Sequence, residues 1–364
     1  MTSSPLRIGV IGVGFGTTVH VPGFQSEWMQ VVALCSRRRE RVEKAARDLG
    51  IPGVYTDYRR MLEEADLDAV SIATPPVSHY EMTMAALDAG KHVMCEKPFA
   101  MDEGQAREMW HKARDTGLTA MIAHEFRFAP ARAYVKELLE LGYVGDLRTI
   151  HTTLFRGPTQ APEPRPMVWG SQAPQGGGFL GALGSHYIDC LRDWSGEISR
   201  VCGGVFIHDP DRIDRESGQT GLADADEAFS FLVTFENGGW GSMSANSVAP
   251  FGRGARIEVY GTQGTLQTPQ PGFNPPPDGV VLGARFGDDP EIRELPMPQR
   301  LRPFDDSRDE RLMAFRILVR RFLQGIAEGT SPTPNFYDGF RCQQVLDAVR
   351  QSGESGRWVD IPVE

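Results

Sequence analysis

The stretch that decides the fold is Leu6-Arg7-Ile8-Gly9-Val10-Ile11-Gly12-Val13-Gly14-Phe15-Gly16-Thr17. An apolar run that ends at once in a glycine-rich turn reads as a buried strand handing over to a helix. Such a turn lets backbone N–H groups approach a pyrophosphate, and the helix N-terminus stabilises the charge. The third glycine comes one residue early for the usual spacing, and Thr17 stands at the small-residue position. Context supports the reading, because residues 30–34 form a second apolar strand at the distance a βαβ unit requires.

Outward from this turn, strand and helix patterns alternate. Helices are predicted over 39–49, 58–65, 79–89 and 102–116, and buried strands over 69–73, 91–95 and 119–123. That rhythm predicts an α/β, Rossmann-type doubly wound parallel sheet. The loops at Gly12, Ser36, Thr74 and Glu96 all follow strands, so right-handed crossovers place them on one carboxyl edge, where such sheets bind ligands. The cofactor candidates are Gly12, Gly14, Phe15, Gly16, Thr17, Ser36, Arg37, Arg38, Thr74, Pro75, His79, Glu96 and Lys97. NAD-binding domains usually carry an acid about twenty residues after the glycine turn, to bond the ribose hydroxyl. Here Ser36 stands there, followed by arginines, which can hold a 2′-phosphate that a carboxylate would repel. NADP is therefore the predicted cofactor, with NAD as the alternative; the bland reading of the arginines is that they solvate the next helix.

From residue 125 the pattern changes. After a helix over 131–141, strand candidates follow at 146–155, 200–208, 228–235, 240–248, 255–260 and 264–268. Asn237-Gly238-Gly239 and Gly261-Thr262-Gln263-Gly264 are hairpin signals between pairs of them. The expected domains are 1–124 (dinucleotide-binding) and 125–364, an α+β unit with an open-faced, mostly antiparallel sheet. Such a face needs a cover, so homo-oligomerisation through it is expected. The Pro- and Gly-rich segment 157–178, carrying Trp169, reads as a lid or a disordered crossover. Segment 269–277 is a proline-rich excursion, helices over 308–325 and 337–352 read as structural, and 358–362 as a final strand.

A chain of 364 residues is too long for one ordinary core. Its formal charge of −10 argues against nucleic acid as a partner. No apolar run is long enough to span a bilayer, and the first residues lack the pattern of an export signal. Five widely spaced cysteines without a CxxC pair give no metal site and read as reduced thiols of a cytoplasmic protein.

The chain resembles the glucose–fructose oxidoreductase, inositol dehydrogenase and rhizopine-catabolism (Gfo/Idh/MocA) family over nearly its whole length. The resemblance rests on the glycine turn, on Ala73-Thr74-Pro75-Pro76 with His79, and on Ala89-Gly90-Lys91-His92-Val93 running into Cys95-Glu96-Lys97-Pro98. It continues through His124-Glu125-Phe126-Arg127-Phe128, Gly176-Gly177-Gly178, and Gly184-Ser185-His186 with Asp189. It implies a Rossmann domain followed by an open-faced sheet domain, and NAD(P)-dependent hydride transfer at a carbinol or carbonyl of a sugar, cyclitol or sugar-like substrate.

That chemistry needs a group favouring the developing alkoxide and one taking the hydroxyl proton. Lys97, at a strand's carboxyl end, suits the first task. His186 suits the second, and the resemblance implies it is the catalytic histidine. The family pattern also carries an aspartate four residues earlier, one helical turn away; here the residue is Ala182. Asp189 either orients the His186 ring or is structural. Glu96 fixes Lys97 or the nicotinamide ribose, and His124 and Arg127 contact cofactor or substrate, or pin the domain junction. The missing aspartate keeps two other readings open: a dinucleotide-binding sensor or scaffold, and a reductase of a non-sugar carbonyl or dihydrodiol.

Overall fold

The computed structural model describes residues 5–159, 165–288 and 291–362. Six strands build the first sheet: β1 (Arg7–Ile11), β2 (Gln30–Cys35), β3 (Gly53–Tyr55), β4 (Ala69–Ile72), β5 (His92–Cys95) and β6 (Ala120–Ile122). They run parallel in the order β3-β2-β1-β4-β5-β6. Helices α1 (Val21–Ser26), α2 (Arg39–Leu49), α3 (Tyr58–Glu64), α4 (His79–Asp88) and α5 (Glu103–Thr116) lie in the crossovers. The central strands are short runs of Ile, Val, Ala and Met buried on both faces, as a sheet covered on both sides requires. Strand order reverses between β1 and β4, so the crevice of this sheet opens beside the glycine turn. This is the predicted Rossmann sheet. Only β3 escaped the sequence reading, since three residues give no period to recognise.

The chain continues with α6 (Pro130–Glu140), β7 (Leu147–Phe155), β8 (Arg165–Pro166), α7 (Ser185–Ser195) and β9 (Ile198–Phe206). Then come β10 (Asp211–Ile213), β11 (Thr220–Leu222), β12 (Ala228–Phe235), β13 (Trp240–Asn246), β14 (Gly254–Gly261) and β15 (Gly264–Gln270). Strands β16 (Leu282–Arg285) and β17 (Arg293–Glu294), helices α8 (Leu312–Glu328) and α9 (Phe336–Ser355), and β18 (Val359–Asp360) complete it. Nine of these strands form one sheet, ordered β17-β16-β15-β14-β7-β13-β12-β9-β18. Every pair in it is antiparallel except β7 with β13. The second sheet is thus mixed and mostly antiparallel, as expected. The two hairpin signals join β12 to β13 and β14 to β15. Along β12, Phe229, Phe231 and Val233 are buried while Ser230 and Leu232 face outward, the period-2 alternation of a sheet covered on one side.

The described chain forms two compact units: one up to Glu125 joined by Asp306–Gln343, the other Phe126–Asp305 joined by the residues from Gln344 on. The sequence reading kept all residues after 124 in the second domain; the structure returns Asp306–Gln343 to the first. The cause is α8. Its Phe315 packs on His20 and Phe24, with ring centroids 4.4 and 5.7 Å apart. Glu27 accepts hydrogen bonds from Arg316 (2.7 Å) and Arg320 (2.6 Å). No sequence period announces such a return, because it depends on which buried face receives the helix.

Candidate active site

The first unit supplies a phosphate cradle and an anchored lysine. Gly12 has φ +112°, and a Cβ there would lie 2.1 Å from the Ala73 carbonyl, so only glycine fits. A Cβ at Gly14 would meet nothing within 4 Å; the turn leaves open the space a pyrophosphate needs. The Thr17 hydroxyl donates to the carbonyls of Val13 or Gly14, 3.0 Å from each, and so braces the turn. After β2, the Ser36 amide donates to Tyr55 O (3.1 Å), while Arg37 and Arg38 are exposed and have no carboxylate partner among the described residues. The nearby Asp57 is committed to capping α3, accepting from the Arg59 amide at 2.9 Å.

Lys97 follows β5, and its amide donates to Glu96 Oε2 (3.1 Å). Glu96 Oε1 lies 2.9 Å from His20 Nε2, and His20 Nδ1 lies 2.6 Å from Ser71 Oγ. All three side chains are buried. Burial alone would push the Glu96 carboxyl up; the bond and attraction of His20, then the charge of Lys97, outweigh it and hold it below the ordinary range. The network runs from the helical turn after the glycines, through β4, to the end of β5. Sequence reasoning missed His20 and Ser71, because a histidine and a serine in apolar runs read as core residues.

His79 was placed among the cofactor contacts, but it is fully buried. Its ring nitrogens lie 3.0 Å from Pro98 O and 2.9 Å from Thr74 O, so the ring ties the loop after β4 to the loop carrying Lys97. Burial lowers its proton affinity, against the pull of those carbonyls. Thr74 and Pro75 follow the carboxyl end of β4, the Thr74 hydroxyl accepting from Ser78 Oγ at 2.8 Å. The Lys97–Pro98 peptide is cis. His124 and Glu125, at the end of β6, are both buried. Sequence reasoning also missed Arg311, just before α8. Its guanidinium lies 4.7 Å over the Phe15 ring of the glycine turn and is steadied by Asp309 at 2.6 and 2.7 Å.

The second unit supplies His186, buried on α7 and stacked on Phe126 with ring centroids 3.8 Å apart and planes 7° from parallel. Both oxygens of Asp189 accept from Arg127, each at 2.6 Å, and Arg127 also bonds Asp193 at 3.0 Å. Arg127 and Asp189 thus balance each other in a buried ion pair that pins α7 to the turn before α6. The run Leu180–Gly184 before α7 is a π-helical turn, so Ala182 and His186 are not one α-helical turn apart, as the sequence spacing suggested. Asp226 caps this turn, accepting from the Leu180 amide at 2.7 Å. At Gly178 (φ +120°) a Cβ would lie 2.3 Å from Asp226 Oδ1. The segment read as a lid or disordered crossover is tied down at 165–178: the Ala173 amide donates to Asp224 Oδ1 (2.7 Å) and the Phe179 amide to Asp226 O (2.8 Å). Trp169 sits there half-exposed; residues 160–164 lie outside the described residues.

The family model described as "Oxidoreductase family, NAD-binding Rossmann fold" matches residues 6–124, and the GFO/IDH/MocA C-terminal domain matches 133–267. The chain belongs to the Gfo/Idh/MocA oxidoreductase family. It is 32% identical to an uncharacterised oxidoreductase of Synechocystis, over 100% of this chain and 98% of that protein. It is 29% identical to levoglucosan dehydrogenase of Pseudarthrobacter phenanthrenivorans, over 98% of each. A solved levoglucosan dehydrogenase in complex with NADH and levoglucosan superposes with a TM-score of 0.88 at 27% identity, covering 99% of this chain and 100% of that one.

Proposed function

We propose that this family member is an NADP-preferring dehydrogenase of a sugar, cyclitol or sugar-like carbinol, working in reverse on the corresponding carbonyl. The observation that carries the reading is Lys97, held by the Ser71–His20–Glu96 network at the edge where the glycine turn opens. The turn at Gly12, Gly14, Phe15, Gly16 and Thr17, the loops at Thr74, Pro75 and Glu96, and Arg311 would hold the dinucleotide. Ser36, Arg37 and Arg38 would hold a 2′-phosphate. The bound nicotinamide supplies the hydride acceptor. The protein's task is the proton and the charge: Lys97 donates to the reacting oxygen as alkoxide character develops, and His186 takes the hydroxyl proton. His79 and the His20 network position Lys97 without touching substrate. The half-exposed Trp169 lends a flat apolar surface suited to a sugar face, and buried His124 stands at the end of β6, beside the end of β5 that carries Lys97.

The likeness to levoglucosan dehydrogenase supports a sugar-type substrate, and retention of both Lys97 and His186 speaks against a sensor that has lost catalysis. Reduced-coenzyme absorbance, followed with NADP⁺ and NAD⁺ against a panel of sugars, anhydrosugars and polyols, tests the reading. Turnover of at least one member is expected. Tight coenzyme binding with no turnover of any would favour the sensor.

A further inference from the structure

Strands β5 and β6 pair in parallel with Cys95 opposite Ile122, and the Ala123 amide donates to Cys95 O at 2.8 Å. The segments that follow, Glu96-Lys97 and His124-Glu125, therefore leave the sheet side by side. Glu125 is only 2% exposed, and its Oε2 has no hydrogen-bond partner among the described residues. A carboxyl group buried in this way is normally paired, since an unpaired charge there is costly. The charged groups facing it come from each neighbouring element: Glu96 and Lys97 from the end of β5, and Arg311 from the segment before α8. Behind Glu96 stands His20.

We propose that Glu125 is a positioning residue for Lys97: neutral in the active enzyme, it leaves the ammonium to the substrate oxygen, and once ionised it competes for that ammonium and slows the reaction. The proposal rests on the dehydrogenase reading above. Burial, and then the negative charge of Glu96, push the Glu125 carboxyl up to about 8, against the pull of Lys97 and Arg311. The site thus contains one ionised carboxyl, Glu96, and one that gives up its proton just above neutrality.

The test is the pH profile of kcat/KM for wild type, Glu125→Gln and Glu125→Asp, beside an activity-free readout of Lys97. For that readout, reductively ¹³C-methylated protein is titrated by NMR, with the Lys97 signal identified by its loss in Lys97→Arg. In the wild type the rate should fall as pH rises past about 8, and the Lys97 signal should inflect over the same range. The isosteric Glu125→Gln should lose both the falling limb and the inflection, giving a rate roughly three- to tenfold above wild type near pH 9. Glu125→Asp, which keeps a titrating carboxyl, should keep both. A falling limb or an inflection that survives in Glu125→Gln overturns the proposal. Should the wild type turn over no substrate, the dehydrogenase reading fails, and the NMR titration alone decides whether Glu125 sets the charge at Lys97.

Discussion

Glu96, beside Lys97, is held by residues far from it in the chain. Ser71 lies 51 positions from His20, and Glu96 lies 76 from it, so the register of β1, β4 and β5 brings the three together. Lys97 and the glycine turn were legible from the sequence because local pattern marks them. Ser71, His20, Glu125 and Arg311 were not, because only sheet pairing and the return of α8 give them neighbours. His20→Ala should leave the buried Glu96 carboxylate without its bond and cost roughly 1–3 kcal/mol of stability, read as a lower Tm with a parallel fall in kcat. His79 makes an acid-side prediction. Its folded-state proton affinity is below the ordinary value of 6.5, so its contribution to stability is complete above that pH. As pH falls further, the unfolded chain takes up the proton first and that contribution drains away. Thermal melts should show wild type losing Tm below about pH 6.5 more steeply than His79→Asn.

Among the elements, α7 decides how His186 is presented. The sequence supplied its histidine and its helical period but left Arg127 and Asp189 open between ligand and structural roles, because a single sequence cannot pair them across 62 positions. Removing the cation from a buried pair leaves uncompensated carboxylates. Arg127→Met should therefore destabilise the fold by about 3–5 kcal/mol, measured by denaturant unfolding. A variant of normal stability with only a raised KM would return Arg127 to the substrate ligands. The π-turn Leu180–Gly184 was invisible in the residue spacing, which assumed an α-helix throughout. Segment 157–178 looked like a lid or a disordered crossover from its Pro and Gly content; backbone bonds to 224–226 hold its later part in place.

For the whole molecule, fold class and family were legible in the order of motifs along the chain, and the two-unit division was legible except for Asp306–Gln343. No described helix is long and apolar enough to cross a membrane. The outward face of the nine-stranded sheet carries Phe155, Phe206, Leu232 and Trp240, all more than a third exposed. A cover for that face is the proposed reason for self-association, so sedimentation equilibrium should give an oligomer that Leu232→Glu with Trp240→Glu dissociates. A monomeric wild type would refute it. Coenzyme choice tests the loop after β2: Ser36→Asp with Arg37→Ala and Arg38→Ala should lower kcat/KM for NADP⁺ by roughly tenfold or more while sparing NAD⁺. Lys97 is proposed to act on the reacting substrate oxygen beside a dinucleotide held by the rest of the edge. Turnover and coenzyme affinity of Lys97→Ala, measured side by side with wild type on a turned-over sugar, test it most directly. Turnover should fall by about a hundredfold or more with coenzyme affinity nearly unchanged; a near-normal rate would contradict it.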